Sequence, residues 1–266
     1  MESIKPVIVC IAKQEDKYIE EFIKYHLALG FDHIYLYDNE DVPIYYQILK
    51  EYSLYITFIH MPGKHLNILD IATNIEQKCM IQYSSLIHFV KNYIDSENIT
   101  HVLHIDIDEF VVLKEHENIK TFIQQEIEDN PEYGGAMFMW RWFGDSHISE
   151  VSDIPNTIRF TKCSENIEST GKTLFNKKHG TFLNIHEMKF YKEGMKCKYV
   201  PIEMGQLNHY KCKTWEEYKI IRQRGRADIE IYDENIEQDF KNVNRNEVED
   251  LYAYHFYNNI DVSKID

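Results

Sequence analysis

Two aspartates separated by one residue are the strongest candidates for chemistry in this sequence. Asp106 and Asp108 lie in the largely apolar segment from Val102 to Leu113, and Glu109 follows them. Side chains alternate across a strand, so the two aspartates are expected to project from one face. Carboxylates that act together with substrate phosphates are a common way of holding Mg²⁺-like cations. The spacing therefore predicts a metal–diphosphate site at a strand end.

The position of this motif is more informative than the motif itself. A chain of this length with 17 aspartates contains about one Asp-x-Asp pair by chance. The preceding apolar residues, however, indicate a buried parallel strand, and ligands of open α/β sheets bind at the carboxyl ends of such strands. A solvated strand end is the alternative interpretation of the same residues.

Composition excludes several classes of function. The 266 residues are 44% apolar and 14% aromatic, which supports a substantial core, and their formal net charge is −15. Nucleic acid is not an expected partner, because no overall positive field attracts its phosphates. The five cysteines form no C-x-x-C pair, which argues against zinc. No signal peptide or membrane-spanning run is recognised, so the expected location is a cytosol or a viral factory.

Hydrophobic periodicity predicts an α/β fold with a mostly parallel sheet. Strands are predicted at 7–11, 34–37 and 56–59, and helices at 19–27 and 79–93, so residues 1–113 are expected to form a doubly wound nucleotide-binding half. Strands are then predicted at 136–139, 158–161 and 181–185. Thr214 and Glu217 form a capping-box pattern that predicts a helix from Trp215 towards Gly225.

We expect one domain over residues 1–233, with an acceptor-binding half from 114 to 233. Residues 234–266 are expected to form a C-terminal tail that packs on this domain, because no linker-like composition separates them from it.

Several short motifs, taken in order, resemble one family. They are Ala12-Lys13-x-Glu15, Tyr37-Asp38-Asn39, Asp106-x-Asp108, Trp142-Phe143-Gly144, Leu207-Asn208-His209-Tyr210 and Arg224-Gly225-Arg226-Ala227-Asp228. This order resembles nucleotide-sugar glycosyltransferases of the GT-A type, and more closely glycosyltransferase family 92 and its family-2-like relatives. Residues 8–40 resemble the opening motif of that group, and the similarity continues with gaps to about residue 230.

The resemblance implies an inverting transfer of a hexose or related sugar. The expected donor is a nucleoside-diphosphate sugar, with UDP as the nucleotide, and the acceptor is a glycan, glycolipid or glycoprotein. A divalent metal is implied, Mn²⁺ or alternatively Mg²⁺, which would neutralise the charge that develops on the leaving diphosphate. Asp106, Asp108 and His209 are the expected metal ligands, with Asp106 alternatively holding the ribose. The nucleotide-sugar-binding residues are expected to be Lys13, Glu15, Asp38, Asp106, Lys172 and Arg224.

An inverting transfer also requires a base for the acceptor hydroxyl. Asp145, which follows the Trp142-Phe143-Gly144 motif, is the first candidate, and Glu187 is the second. Glu109 and Asp228 remain open alternatives. His186 resembles a second histidine of the group and is expected near the acceptor.

Two other functions compete with a glycosyltransferase. A sugar-nucleotide nucleotidyltransferase could use the same fold, but the N-terminal region lacks the glycine-rich phosphate loop expected of one. A catalytically inactive glycan-binding module is the other alternative, and the presence of Asp106, Asp108 and His209 argues against it.

Overall fold

A computed structural model describes residues 3–70, 75–225 and 235–261 of the chain. Fifteen strands are assigned within these ranges: β1 Pro6–Ala12, β2 His33–Asp38, β3 Ile56–His60, β4 His65–Leu69, β5 Glu76–Met80, β6 His101–His104, β7 Glu109–Leu113, β8 Tyr133–Trp142, β9 Lys162–Cys163, β10 Gly171–Asn176, β11 Gly180–Phe182, β12 Met188–Phe190, β13 Lys196–Tyr199, β14 Gly205–His209 and β15 Val248–Glu249.

The helices connect and cover these strands. They are α1 Ile19–Ala28, α2 Tyr45–Ile48, α3 Ile81–Asn92, α4 Ile119–Ile123, α5 Asn156–Arg159, α6 Trp215–Arg224, α7 Ile236–Val243 and α8 Tyr252–Asn258, with a 3₁₀ turn at Lys50–Tyr52 and a π-helical turn at Gln124–Glu128. Thr214 and Glu217 form the predicted capping box at the start of α6, where each side chain bonds to the other residue's backbone N–H. In the part of the chain that is described, we find no helix long and apolar enough to cross a membrane.

One large sheet organises the molecule. Its strand order is β3-β2-β1-β6-β10-β8-β14-β7, and β13 pairs with β8 beside this path. The first four strands are parallel to one another, so their carboxyl ends meet at one edge. β10 runs antiparallel to both β6 and β8, and β14 is parallel to β8 but antiparallel to β7. The predicted α/β class with a mostly parallel sheet is confirmed.

The sheet separates two apolar cores. Alternate residues of β1 point to opposite faces, as the pleat of a strand requires. Ile8 and Cys10 join the core that contains α1, whereas Val7 and Val9 join the core that contains α3. α8 packs on the first of these cores, where the ring of Phe256 lies 4.8 Å from the ring of Tyr25.

Some predicted elements differ from the structure. The segment 102–113 is two strands rather than one, and Asp106 and Asp108 lie in the turn between β6 and β7. Residues 158–161 do not form a strand, because Asn156–Arg159 is a helical turn. The backbone N–H groups of Asn156 and Thr157, at the start of this turn, donate to the buried carboxylate of Glu21, both at 2.8 Å. Of 181–185, only residues 181 and 182 belong to a strand.

Candidate active site

A cleft of about 500 Å³ opens at the carboxyl edge of the parallel strands. Loops that follow β1, β2, β3 and β6 line one side, and the beginning of α3 and the end of α6 close it. The predicted site residues that line the cleft are Lys13, Glu15, Asp106, Asp108, His186, His209 and Arg224, and Trp140 and Trp142 line it as well. The structure thus brings together residues from nearly the whole length of the chain.

Asp108 and His209 meet because of strand register. β14 pairs antiparallel with β7 so that His209 lies opposite Glu109, and the backbone N–H of Tyr210 donates to the carbonyl of Asp108 at 2.8 Å. As a result, Nε2 of His209 lies 3.6 Å from Oδ1 of Asp108. Nδ1 of His209 is buried and has no hydrogen-bond partner within the described ranges.

The charge of Asp108 is set by its surroundings. Burial raises the pKa of its carboxyl, but the nearby charge of His209, together with the charges of Lys213 and Arg224, outweighs this effect. The resulting pKa lies below the ordinary aspartate range. Asp108 is therefore ionised at neutral pH.

The Asp108–His209 pair could form part of a metal site. A carboxylate oxygen and the imidazole Nε2 at this separation fit two ligands of a divalent cation. Over residues 3–70, 75–225 and 235–261, no three His, Cys, Asp or Glu side chains cluster closely enough to hold a metal ion. The three-ligand set that includes Asp106 is therefore not assembled. Two protein ligands would need phosphate oxygens or water to complete the coordination.

The carboxylate of Asp106 has protein partners instead. Lys172 Nζ donates to its Oδ2 at 3.2 Å, and Gln82 Nε2 donates to its Oδ1 at 2.5 Å. Lys172 is completely buried and also donates to the carbonyl of Ile185 at 3.3 Å. Burial lowers the pKa of Lys172, but the charges of Asp106 and Glu109 raise it above its ordinary value. Lys172 is thus a buried cation beneath Asp106 and is not among the residues that line the cleft.

Glu109 is also completely buried, beneath the turn that carries the two aspartates. Its Oε2 accepts a hydrogen bond from the backbone N–H of Asp106 at 2.9 Å, and its Oε1 accepts one from Trp140 Nε1 at 2.7 Å. Burial raises the pKa of Glu109 well above its ordinary value. The hydrogen bond to Trp140 fixes the indole ring, which lies 5.0 Å from the ring of His209 and 5.2 Å from that of His186. Glu109 therefore positions the residues around it and has no access to an acceptor.

The opposite side of the cleft is closed by α6. Arg224, near its end, donates to the carboxylate of Glu15 at 2.5 Å and to the backbone carbonyl of Lys13. The Glu15 charge raises the pKa of Arg224 although burial lowers it. These contacts connect α6 with the loop after β1. Lys13, Glu15 and Arg224 therefore lie together at this side of the cleft.

Asp38 has a structural role in the described chain. Its buried carboxylate accepts hydrogen bonds from the backbone N–H groups of Glu40, Ile44 and Tyr45, at 3.0, 2.9 and 3.2 Å. Asp38 does not line the cleft, whereas its neighbour Asn39 does. Asp38 therefore organises the turn before α2, and its expected contact with the nucleotide stays a prediction.

The two expected catalytic bases also lie outside the cleft. Asp145 accepts hydrogen bonds from the side chains of Asn244 and Asn246, at 2.9 and 3.1 Å. Glu187 is exposed and accepts one from Asn184 at 3.0 Å. Neither residue lines the cleft. The alternative base Asp228 lies outside the described residues.

Several contributors to the site were not predicted from the sequence. Gln82 holds Asp106, and Ile81 lines the cleft beside it. Both lie in the first turn of α3. The helix was predicted to begin at residue 79, so the sequence did not show that these two residues lie at its start. Lys211 also lines the cleft, and its Nζ lies 5.4 Å from the centre of the Trp142 ring. The only feature of the sequence that could have placed Lys211 in the cleft is its closeness to His209.

A mostly parallel sheet with a polar cleft at its carboxyl edge is the architecture of open α/β proteins, whose ligands bind at that edge. The chain belongs to glycosyltransferase family 92, whose model matches residues 5–254. It is therefore a glycosyltransferase, and the predicted family and GT-A-type fold class are confirmed. No curated protein matches the sequence at a significant level.

Solved structures with a similar fold have low sequence identity to this chain. A crystal structure of S. aureus TarS 1-349 is 10% identical, with a TM-score of 0.40 over 96% of this chain and 69% of that one. TarS 1-349 in complex with UDP is 12% identical, with a TM-score of 0.35 over 65% and 46% of the two chains. A 4-diphosphocytidyl-2C-methyl-D-erythritol synthase is 11% identical, with a TM-score of 0.35 over 65% and 76%. The chain spans 42% of a longer TarS structure.

Proposed function

We propose that this protein is a metal-dependent, inverting glycosyltransferase that moves a hexose or related sugar from a UDP-sugar to a glycan or glycoconjugate. The observation that carries this proposal is the contact between Asp108 and His209 at 3.6 Å inside the cleft. Membership of glycosyltransferase family 92 supports the reaction class. The proposal adds the metal, the nucleotide and the stereochemistry.

The metal ligands that we propose are Asp108 and His209. Carboxylates suit both Mg²⁺ and Mn²⁺, whereas imidazole favours a transition metal, so Mn²⁺ is the preferred ion and Mg²⁺ the alternative. A bound cation of this kind stabilises the negative charge of the departing diphosphate. Because the protein supplies two ligands, the affinity for the cation should increase when a diphosphate is present.

The nucleotide is proposed to lie along the side of the cleft formed by Lys13, Glu15, Asn39 and Arg224. This side follows the parallel strands β1 and β2, and it carries the cationic groups that a nucleoside diphosphate requires. Asp106 is held by Lys172 and Gln82 with 34% of its side chain exposed, which leaves it able to accept a further hydrogen bond from a ribose.

The acceptor is proposed to lie on the opposite side, against Trp140 and Trp142. Indole rings pack well against the apolar face of a sugar, and both rings line the cleft. An acceptor there would face the sugar from the side opposite to the diphosphate. Direct displacement from that side inverts the anomeric carbon.

A thermal-shift panel tests this proposal. UDP-, GDP- and CMP-sugars are each added with and without Mn²⁺, because a ligand of the folded state raises its stability by about 2.7 kcal/mol at 100 times its Kd. We expect UDP-sugars to raise the Tm, and to do so more strongly with Mn²⁺. If no nucleotide sugar raises the Tm, the proposal is wrong. Equal stabilisation with and without Mn²⁺ would contradict its metal component.

A further inference from the structure

The reaction needs a proton acceptor in the cleft. Within the described ranges, three carboxylates line the cleft, and each one already faces a basic group. Glu15 pairs with Arg224, Asp106 pairs with Lys172, and Asp108 faces His209. A carboxylate that neutralises a neighbouring cation is a weaker base than an unpaired one. These three groups are therefore poor candidates for the proton acceptor.

His186 lines the same cleft and is held at three points. Its backbone N–H donates to Asn184 Oδ1 at 2.8 Å, and its backbone carbonyl accepts from Thr173 Oγ1 at 3.0 Å. Its ring Nδ1 lies 3.2 Å from the backbone carbonyl oxygen of Gly171. Both the backbone and the ring of His186 are thereby fixed relative to β10.

The contact with Gly171 determines which ring nitrogen is basic. A carbonyl oxygen can only accept a hydrogen bond, so Nδ1 of His186 carries the proton and Nε2 of the neutral ring carries the lone pair. Gly171 can occupy this position because it has no side chain. A Cβ there would lie 1.9 Å from the carbonyl oxygen of Phe138 on the neighbouring strand.

The ring of His186 also has a defined orientation towards the proposed acceptor side. Its centre lies 5.2 Å from the Trp140 ring centre, and the two ring planes are 85° apart. Trp140 is in turn fixed by its hydrogen bond to Glu109. His186 is thus adjacent to an aromatic surface on which a sugar could lie.

We propose, on the basis of the function proposed above, that His186 is the general base of the transfer reaction. Its Nε2 takes the proton of the acceptor hydroxyl while the hydroxyl oxygen forms a bond to the anomeric carbon of the donor sugar. The bond from that carbon to the diphosphate oxygen breaks, and its electron pair leaves with the nucleoside diphosphate. The imidazolium ion then returns the proton to solvent.

The test uses UDP as the binding probe and hydrolysis of UDP-glucose, UDP-galactose and UDP-N-acetylglucosamine as the reaction. Water then serves as the acceptor, so the glycan need not be identified. In the full chain, His186→Gln should lower kcat for UDP release by about 100-fold or more. The shift in Tm caused by UDP should stay unchanged. Added imidazole should restore part of the rate in His186→Ala, because it can replace the missing base.

His147→Gln is the matched control, because His147 is exposed and does not line the cleft. It should retain the wild-type rate. Two results would overturn the proposal: a His186→Gln variant with unchanged kcat, or a loss of rate matched by an equal loss of UDP binding. Failure of the wild-type protein to hydrolyse any of these donors would instead contradict the proposed function itself.

Discussion

Oδ1 of Asp108 and Nε2 of His209 lie 3.6 Å apart, although Asp108 precedes β7 and His209 ends β14, with strands β8 to β13 between them in the sequence. The antiparallel register places Glu109 opposite His209, so the residue before β7 and the last residue of β14 meet at one end of the strand pair. A register shift of one residue would turn the imidazole to the other face of the sheet. The proposed metal site therefore depends on the register of two strands.

Loss of the Lys172 side chain should destabilise the fold, because it leaves the carboxylates of Asp106 and Glu109 without their buried cation. Lys172 is completely buried, and removal of one member of a buried pair typically destabilises a protein by about 3 kcal/mol or more. We predict a loss of about this size in Lys172→Met, measured as the free energy of unfolding in urea.

An exposed ion pair provides the control for this prediction. Lys196 and Glu132 are 3.1 Å apart, nearly the same distance, but their side chains are 62% and 54% exposed. Lys196→Met should leave the free energy of unfolding nearly unchanged, because solvent screens the pair. Similar losses in the two variants would show that burial does not distinguish them.

Stability should decrease as the pH falls below the pKa of an unfolded histidine. His26 is buried, its Nδ1 donates to the carbonyl of Phe22 at 2.9 Å, and its Nε2 accepts from the N–H of Val111 at 3.4 Å. Burial lowers its pKa to about 3, and burial has the same effect on His104. The unfolded chain therefore binds protons that the folded chain does not.

The size and the window of this effect follow from linkage. Between about pH 6.5 and about pH 5, each buried histidine lowers stability by up to about 1.4 kcal/mol per pH unit. Glu128 and Glu217, whose pKa values are lowered to about 2, contribute mainly below this window. Urea unfolding at several pH values should show a smaller slope in His26→Leu than in wild type, and an unchanged slope in His147→Gln. An unchanged slope in His26→Leu would mean that His26 does not carry the effect.

Much of the first half of the fold could be predicted from the sequence, because its signals are local. Three examples are the apolar run of β1, the helical spacing of α1 and the capping box of α6. Each of these patterns is formed by residues that lie close together in the sequence. The turn at Asp106 was missed because the apolar pattern continues from β6 into β7 without a glycine or proline. Periodicity alone does not show where such a run changes direction.

The composition of the site was harder to predict, because it depends on partners distant in sequence. Lys172 was expected to face a diphosphate, but the order of strands places β10 next to β6, where Lys172 meets Asp106. Asp145 was expected to act as a base, but the loop around Asn244 and Asn246 binds its carboxylate. Neither contact leaves a signal in a single sequence.

Binding of Mn²⁺ in the presence of UDP tests the central proposal most directly. Electron paramagnetic resonance measures free Mn²⁺, and its signal should decrease when the protein binds the ion together with UDP. Asp108→Asn and His209→Ala should each weaken this binding by at least about tenfold, which corresponds to about 1.4 kcal/mol. Asp129→Asn, which changes an exposed aspartate on another loop, should bind as wild type does. Binding in Asp108→Asn that equals wild type would contradict the assignment of the metal site.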